Sequence, residues 1–248
     1  MLRRRAGPCE TAMPISTNAR GRADLSEPQT LGGIALDVLR ADILQCRLRP
    51  GTRLRLEELR ERYGMSISPL REALMRLESE GLVVLAENKG FRVAPVSPAH
   101  LTDLTETRIE IETLMIRRAV ASGDVAWEAD ILGAFHRLSR QQKADPSAPG
   151  AISPAWSREH RAFHASLSDA CPSELLRNFR DQLFDQAERY VALSIGFTAK
   201  PRDDIGEHEG LMKAVLARDT ETACRLCAAH IRQTTEKVLA ATDALTAV

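Results

Sequence analysis

The sequence predicts a mainly α protein in two parts: a helix–turn–helix unit closed by a small β-hairpin, then an antiparallel all-α bundle. Three observations predict it. Apolar residues recur at helical spacing along most of the 248 residues, with 44% hydrophobic and only 4% aromatic. Strand-like runs are confined to residues 82–94, on either side of an Asn-Lys-Gly turn. Beyond residue 98 the breakers Gly123-Asp124, Asp145 to Gly150, Cys171-Pro172 and Lys200-Pro201 leave only helix-length pieces. The expected division is a disordered basic tail over 1–29, a compact unit over 30–96 and a helical domain over 97–248.

The elements follow in chain order. A first helix is expected from Leu31 to Cys46, carrying Ile34, Leu36, Val38, Leu39, Ile43 and Leu44. Leu56, Leu59 and Tyr63 give a short second helix, and Gly64 stands where a left-handed cap is wanted. Ser66 or Ser68 caps a third helix, with Pro69 in its first turn and Leu70, Ala73, Leu74 and Leu77 as its buried stripe. Ser66, Ser68, Arg71, Met75 and Arg76 lie off that stripe or at the helix start. Gly81 ends the helix, Leu82–Leu85 and Phe91–Ala94 pair as strands, and Asn88, Lys89 and Gly90 turn between them. The helical domain should run 99–122, 124–144, 154–170, 173–197, 203–218 and 219–244.

Small hydroxyls and an arginine at the start of the second of two closely joined helices suit entry into a DNA major groove. A Lys-Gly hairpin tip can approach phosphate. The competing reading is an ordinary helical pair with a hairpin and solvated charges. Net charge is zero, yet it divides unevenly: residues 1–30 carry 5 basic against 3 acidic groups, residues 31–97 carry 11 against 9, and residues 98–248 carry 18 against 22. The basic excess thus falls on the proposed DNA-reading half. Five scattered cysteines without a signal peptide point to reduced thiols in the cytoplasm, and Cys224-x-x-Cys227 reads as core packing within a helix. No apolar run approaches the roughly 20 residues that span a bilayer.

Four histidines form a candidate metal set. His160 and His164 stand at i and i+4 on one helix, and His208 and His230 sit in two later amphipathic helices. Converging imidazoles would hold an ion such as Zn or Ni, whereas each alone reads as a satisfied core or surface histidine. An enzyme, a metal-dependent hydrolase with an accessory domain, is the rival reading. Against it stand the absence of H-E-x-x-H, of G-x-S-x-G and of a phosphate-binding glycine loop. An architectural DNA-binding protein without a ligand is a third reading.

The blocks PGTRL, SISPLREALMRLESEGLV and NKGFRVAPVS, spanning Leu31 to Val96, resemble the winged helix-turn-helix of the GntR family of bacterial regulators. The resemblance implies a DNA-contacting set of Arg55, Ser66, Ser68, Pro69, Arg71, Arg76, Lys89 and Gly90, with Arg71 the foremost. Many relatives carry Arg where this chain has Ile67, which cannot donate to guanine and implies a different operator. The helical half resembles the FCD ligand-sensing domain of the family's FadR-type branch. There His164, His208 and His230 match the metal-binding histidines, while His160 replaces the customary Asp. The resemblance further implies a small organic acid effector, for which Arg108, Asp185, Arg189 and Tyr190 are candidates. Arg108 has the alternative of an i,i+4 pair with Glu112. The function implied is that of a homodimeric repressor on a pseudo-palindromic operator.

Overall fold

The computed structural model describes residues 30–86, 90–148, 150–194 and 204–246. The expected tail over 1–29 and the candidate contact Lys89 lie outside them. Among the described residues the chain forms α1 (Leu31–Leu44), β1 (Arg53–Leu54), α2 (Leu56–Tyr63), α3 (Ile67–Ser79), β2 (Val83–Ala86), β3 (Gly90–Val93) and α4 (Pro98–Ser122). It continues with α5 (Val125–Ser139), α6 (Pro154–Ser166), α7 (Glu174–Ser194), α8 (Asp204–Leu216) and α9 (Thr220–Thr246).

The first six elements make a head with its own core. Leu39 and Ile43 of α1 meet Leu70, Leu74 and Leu77 of α3, all fully buried, and Val83 and Val93 close the layer from the sheet. Gly64 ends α2 in the left-handed region at φ 64°, where its amide bonds back to Arg60 and turns the chain into α3. A side chain with Cβ would be strained there. The two-stranded wing expected from the sequence is a three-stranded antiparallel sheet in the order β1-β3-β2. Val83 faces Val93 across one ladder and Leu54 faces Phe91 across the other. β1 is only two residues long, too short for alternation to register.

A charged group organises the head's outer side. Asp42, on α1, accepts from Arg47 Nε at 2.6 Å, Arg62 Nη2 at 2.9 Å and Tyr63 Oη at 2.6 Å, tying α1 to α2. Burial opposes ionisation of Asp42, but these hydrogen bonds and the two arginine charges hold its pKa below the ordinary value.

The helices α4 to α9 form the second body. α4 lies between α9 and α7, α5 packs on α6 and α8, and α8 pairs with α9. Ser97 and Ser153 cap α4 and α6, each followed by proline at the first position. α5 and α6 stop earlier than their patterns suggest, at Ser139 and Ser166. The Ser139 and Ser166 hydroxyls bond carbonyls three residues back, competing with helix continuation. None of the described helices is long and apolar enough to cross a membrane.

Candidate functional site

Two sites emerge, one in each body. On the head, α3 begins at Ser66, whose extended backbone occupies the capping position without a capping bond from its side chain. The hydroxyls of Ser66 and Ser68 stay exposed at the helix start, while Pro69 is half-buried in its first turn. Arg71, Met75 and Arg76 face solvent, opposite the fully buried Leu70, Ala73, Leu74 and Leu77. Between α3 and the wing runs a cleft of about 470 Å³, lined by Arg53, Arg55, Arg71, Met75, Leu85 and Gly90. Arg55 precedes α2 and pairs with Glu58 at 2.9 Å. Gly90 opens β3 at φ 74°. The expected contacts Arg55, Arg71 and Gly90 therefore share one cleft, and Arg53 joins them from the strand that the sequence did not disclose.

In the bundle, the four histidines converge. His160 and His164 come one turn apart from α6, His208 from α8 and His230 from α9, and one ligand atom from each lies within 4.8 Å of every other. His164 Nε2 is 3.1 Å from His160 Nε2 and 3.2 Å from His208 Nε2. Trp156 stacks on His160 at 4.3 Å, and Phe163 packs edge-on to His164 and His208. His164 and His208 are 3% and 1% exposed, so the cluster is shielded from bulk water. Burial first, then the neighbouring histidines, lower the pKa of His160 and His164 well below the ordinary value, and that of His208 to about 3. Neutral imidazoles with lone pairs are the ligating form.

The nitrogen geometry fits a cation. His164 Nε2 carries at most one proton yet faces two other Nε2 atoms, so protons alone do not satisfy both contacts. One ion would satisfy all the lone pairs together. Nitrogens bound at about 2.0–2.1 Å to a tetrahedral ion stand roughly 3.3–3.4 Å apart, close to the separations observed. Glu207 Oε2 lies 2.9 Å from His230 Nδ1, the carboxylate–histidine pairing that fixes a ligand's tautomer.

Beside the cluster lies a group of arginines that the sequence reading did not assemble. The guanidinium carbons of Arg108, Arg161 and Arg180 sit 5.2, 4.8 and 4.9 Å from the ring centre of buried Phe184. That ring is 5.9 Å from both His160 and His164. Arg108 binds Glu112 at 2.7 Å, the i,i+4 pair foreseen as its alternative. Arg180 is 2% exposed and bonds Asp181 through Nη1, while its buried Nε and Nη2 have no hydrogen-bond partner among the described residues. Unsatisfied guanidinium donors in a closed core are costly unless an acceptor arrives. The signal for Arg180 was its spacing: residues 180, 184 and 188 share one face of α7.

Of the remaining effector candidates, Tyr190 lines a small cavity with Arg108, while Asp185 and Arg189 reach toward the head and linker. Asp185 bonds Arg40 of α1 at 2.9 Å and also pairs with Arg161. Arg189 donates through Nη2 to the carbonyls of Ala94 and Pro95. Tyr190 Oη meets Ser97 and, at 2.7 Å, His100 Nδ1. One helical step of about 100° separates Asp185 and Arg189 from the Arg180–Phe184–Glu188 face, and two steps separate Tyr190 from it.

Comparison with known proteins agrees with both halves. Residues 35–93 match the family described as bacterial regulatory proteins, gntR family, and residues 103–233 match the FCD domain. The chain is similar to the HTH-type transcriptional repressor GlaR of Escherichia coli, with 36% identity over 78% of this chain and 89% of that protein. It is also similar to the HTH-type transcriptional regulator BphR of Paraburkholderia xenovorans, with 37% identity over 78% of this chain and 79% of that one. Among solved structures it resembles E. coli McbR/YncC, with a TM-score of 0.71, 24% identity, and coverage of 85% of this chain and 97% of that one.

Proposed function

Because the chain belongs to the gntR family of bacterial regulatory proteins, in the FadR-type branch that carries an FCD domain, we propose that it is a repressor released from its operator by a small organic acid bound in the helical body. It is a DNA-binding transcriptional regulator, not an enzyme, as are the relatives it matches. The rival hydrolase reading is thereby set aside.

The observation that carries the effector reading is the buried Arg180 guanidinium, with unsatisfied Nε and Nη2, on the same Phe184 that touches His160 and His164. Such a group calls for an anion, and a carboxylate accepts from guanidinium in a planar fork. His160, His164, His208 and His230 would hold a divalent transition ion, with Zn and Ni the best suited to imidazole. When bound, such an ion supplies positive charge that helps anchor the acid.

At the other end, Ser66, Ser68, Arg55 and Arg76 would position the head on phosphate and Arg71 would read a base edge. A homodimer would place one α3 in each half of a pseudo-palindromic site. Release requires that the effector bind more tightly to the pose of the heads that does not fit DNA, so effector and operator must weaken each other reciprocally.

The test is a thermal-shift screen of metal-analysed protein against small carboxylates, followed by operator titration with each hit. At a hundredfold excess over its dissociation constant a ligand specific to the folded state adds about 2.7 kcal/mol of stability. A hit that also weakens operator binding supports the reading. If no carboxylate shifts the zinc-loaded protein, the effector assignment fails and the head's DNA binding is left standing.

A further inference from the structure

We propose that an alternating ion-pair relay, Arg161–Asp185–Arg40–Glu80, mechanically couples the histidine cluster to the end of the DNA-reading helix, with Asp185 as the positioning residue. The proposal rests on the reading of the cluster as a metal site and adds the route by which its occupancy reaches the head.

Each link is in place. Arg161 follows the ligand His160 on α6, and its guanidinium packs on Phe184 while pairing with Asp185. Asp185, on α7, also bonds Arg40 Nη1 at 2.9 Å. Arg40, on α1, bonds Glu80 Oε1 through Nη2 at 2.7 Å. Glu80 is the C-cap residue of α3, the helix whose other end carries Ser66 and Arg71. The side chains are 33%, 9%, 25% and 20% exposed in order, so water and salt screen them less than a surface pair. Charges alternate along the chain, and each interior member forms ion pairs with both neighbours. A shift of α6 therefore changes the partners available to Asp185 and, through Arg40, the support of Glu80.

A second set of bonds explains why the relay acts on position. Gln186 Nε2 donates to the Glu80 carbonyl at 3.3 Å, and Arg189 grips the linker carbonyls of Ala94 and Pro95. Cys46 Sγ contacts the Arg189 carbonyl at 3.5 Å from the end of α1. α7 thus presents Arg180, Phe184 and Glu188 to the sensor and Asp185, Gln186 and Arg189 to the head. Movement of α7 or α6 in response to an occupant would be delivered to α1 and α3 together.

The experiment measures zinc affinity, by competition with a chromophoric chelator, in the full chain and in Arg40→Gln, Asp185→Asn and the control Arg55→Gln. Arg40 lies in the head and does not touch the cluster, so a purely local role predicts no change. Coupled sites typically alter each other's affinity by about fivefold or more. Arg40→Gln and Asp185→Asn should each weaken zinc binding by at least about that factor, while Arg55→Gln, with the same loss of charge, should not. Wild-type zinc affinity in Arg40→Gln would overturn the relay. Should the wild type bind no zinc, the metal reading fails separately, and amide exchange decides the relay. Faster exchange across residues 154–166 in Arg40→Gln supports it, and unchanged exchange there overturns it.

Discussion

Replacing Arg71 and Arg55 by alanine should break DNA binding in two different ways, and the difference tests the division of labour on the head. Arg53, Arg55 and Arg71 line one cleft, and Arg76 lies further along the exposed side of the same helix as Arg71. Among the described residues Arg53, Arg71 and Arg76 form no ion pair, and the Arg55–Glu58 pair is more than half exposed, so all four are available. If Arg71 reads a base and the other three meet phosphate, a dimer makes six such phosphate contacts. At roughly 0.9 counterions per contact, the slope of log K against log salt should be near −5. Arg55→Ala removes one contact per half-site, so the slope should become shallower by about 2 on operator and random DNA alike. Arg71→Ala should leave the slope nearly unchanged. It should cost about 1–3 kcal/mol per half-site on the operator and little on random DNA. Fluorescence anisotropy between 50 and 200 mM KCl, on a site selected from random duplexes, resolves both effects. A slope reduced by about 2 in Arg71→Ala, with equal losses on both DNAs, would refute base reading by Arg71.

Three further outcomes are expected. His208→Ala should reduce bound zinc to a small fraction of the wild-type amount by atomic spectroscopy; full retention would dissolve the four-imidazole site. Asp42→Asn should destabilise the head by about 1–2 kcal/mol, the lower part of the range for charged hydrogen bonds because Arg47 and Arg62 are half exposed. Asp42 has a lowered pKa in the fold, so its stabilisation is full above the unfolded value near 3.9 and vanishes as pH falls through the folded value. The gap between wild type and variant should then be constant from pH 5 to 8 and close below about pH 4; a gap that persists in acid contradicts the ionic origin. Leu74→Ala, at a fully buried position between α1 and α3, should cost about 2–5 kcal/mol in urea unfolding followed by circular dichroism. Trp127 and Trp156 lie in the bundle core, so tryptophan fluorescence reports the other body separately.

What the sequence discloses depends on how local the cause is. Gly64, the stripe Leu70–Ala73–Leu74–Leu77 and the prolines at the starts of α4 and α6 act within one or two turns, and each sits where the pattern puts it. Arg53–Leu54 forms a strand only because β3 lies beside it, where Arg53 pairs with Arg92 and Leu54 with Phe91, a cause far along the chain and invisible to a local pattern. The histidines were legible because His160 and His164 share a helix face and because the family resemblance supplied the order of the rest. Of the arginines beside the cluster, Arg108 was legible from the resemblance, but Arg161 and Arg180 were not. Arg180 and Arg189 look alike in an amphipathic helix, and only the packing of α7 decides which one faces Phe184 and which one faces the linker. Asp185, on the same helix, pairs with Arg40 and Arg161, partners that spacing along α7 does not name. A charged residue's role is set by what stands opposite, and sequence spacing fixes the face without naming the partner.

His160 in place of an aspartate leads to a last prediction. Four neutral imidazoles contribute no negative charge to a divalent ion, so compensation must come from farther out. Glu207 bonds His230, and Glu188 stands 3.8 Å from His160. Glu112 is buried, yet Arg108 and Arg180 outweigh that burial and keep its pKa below the ordinary value. Burial instead raises the pKa of Glu188 above the ordinary carboxylate value. Arg108, Arg161 and Arg180 add positive charge to the same core. Each of those arginines is paired, with Glu112, Asp185 and Asp181, so a divalent ion brings its own positive charge beside Glu188 and Glu207, and a carboxylate ligand complements it. Zinc and an anionic effector should therefore strengthen each other's binding, by at least about fivefold if the coupling is typical. His160→Asp supplies a fixed negative charge and should reduce that mutual gain while keeping zinc bound. Zinc titrations of both proteins, with and without a saturating carboxylate found by thermal shift, measure the gain directly. Equal gains in the two proteins would mean that the charge of the ligand set does not govern the effector, and the acid would then owe its affinity to Arg180 alone.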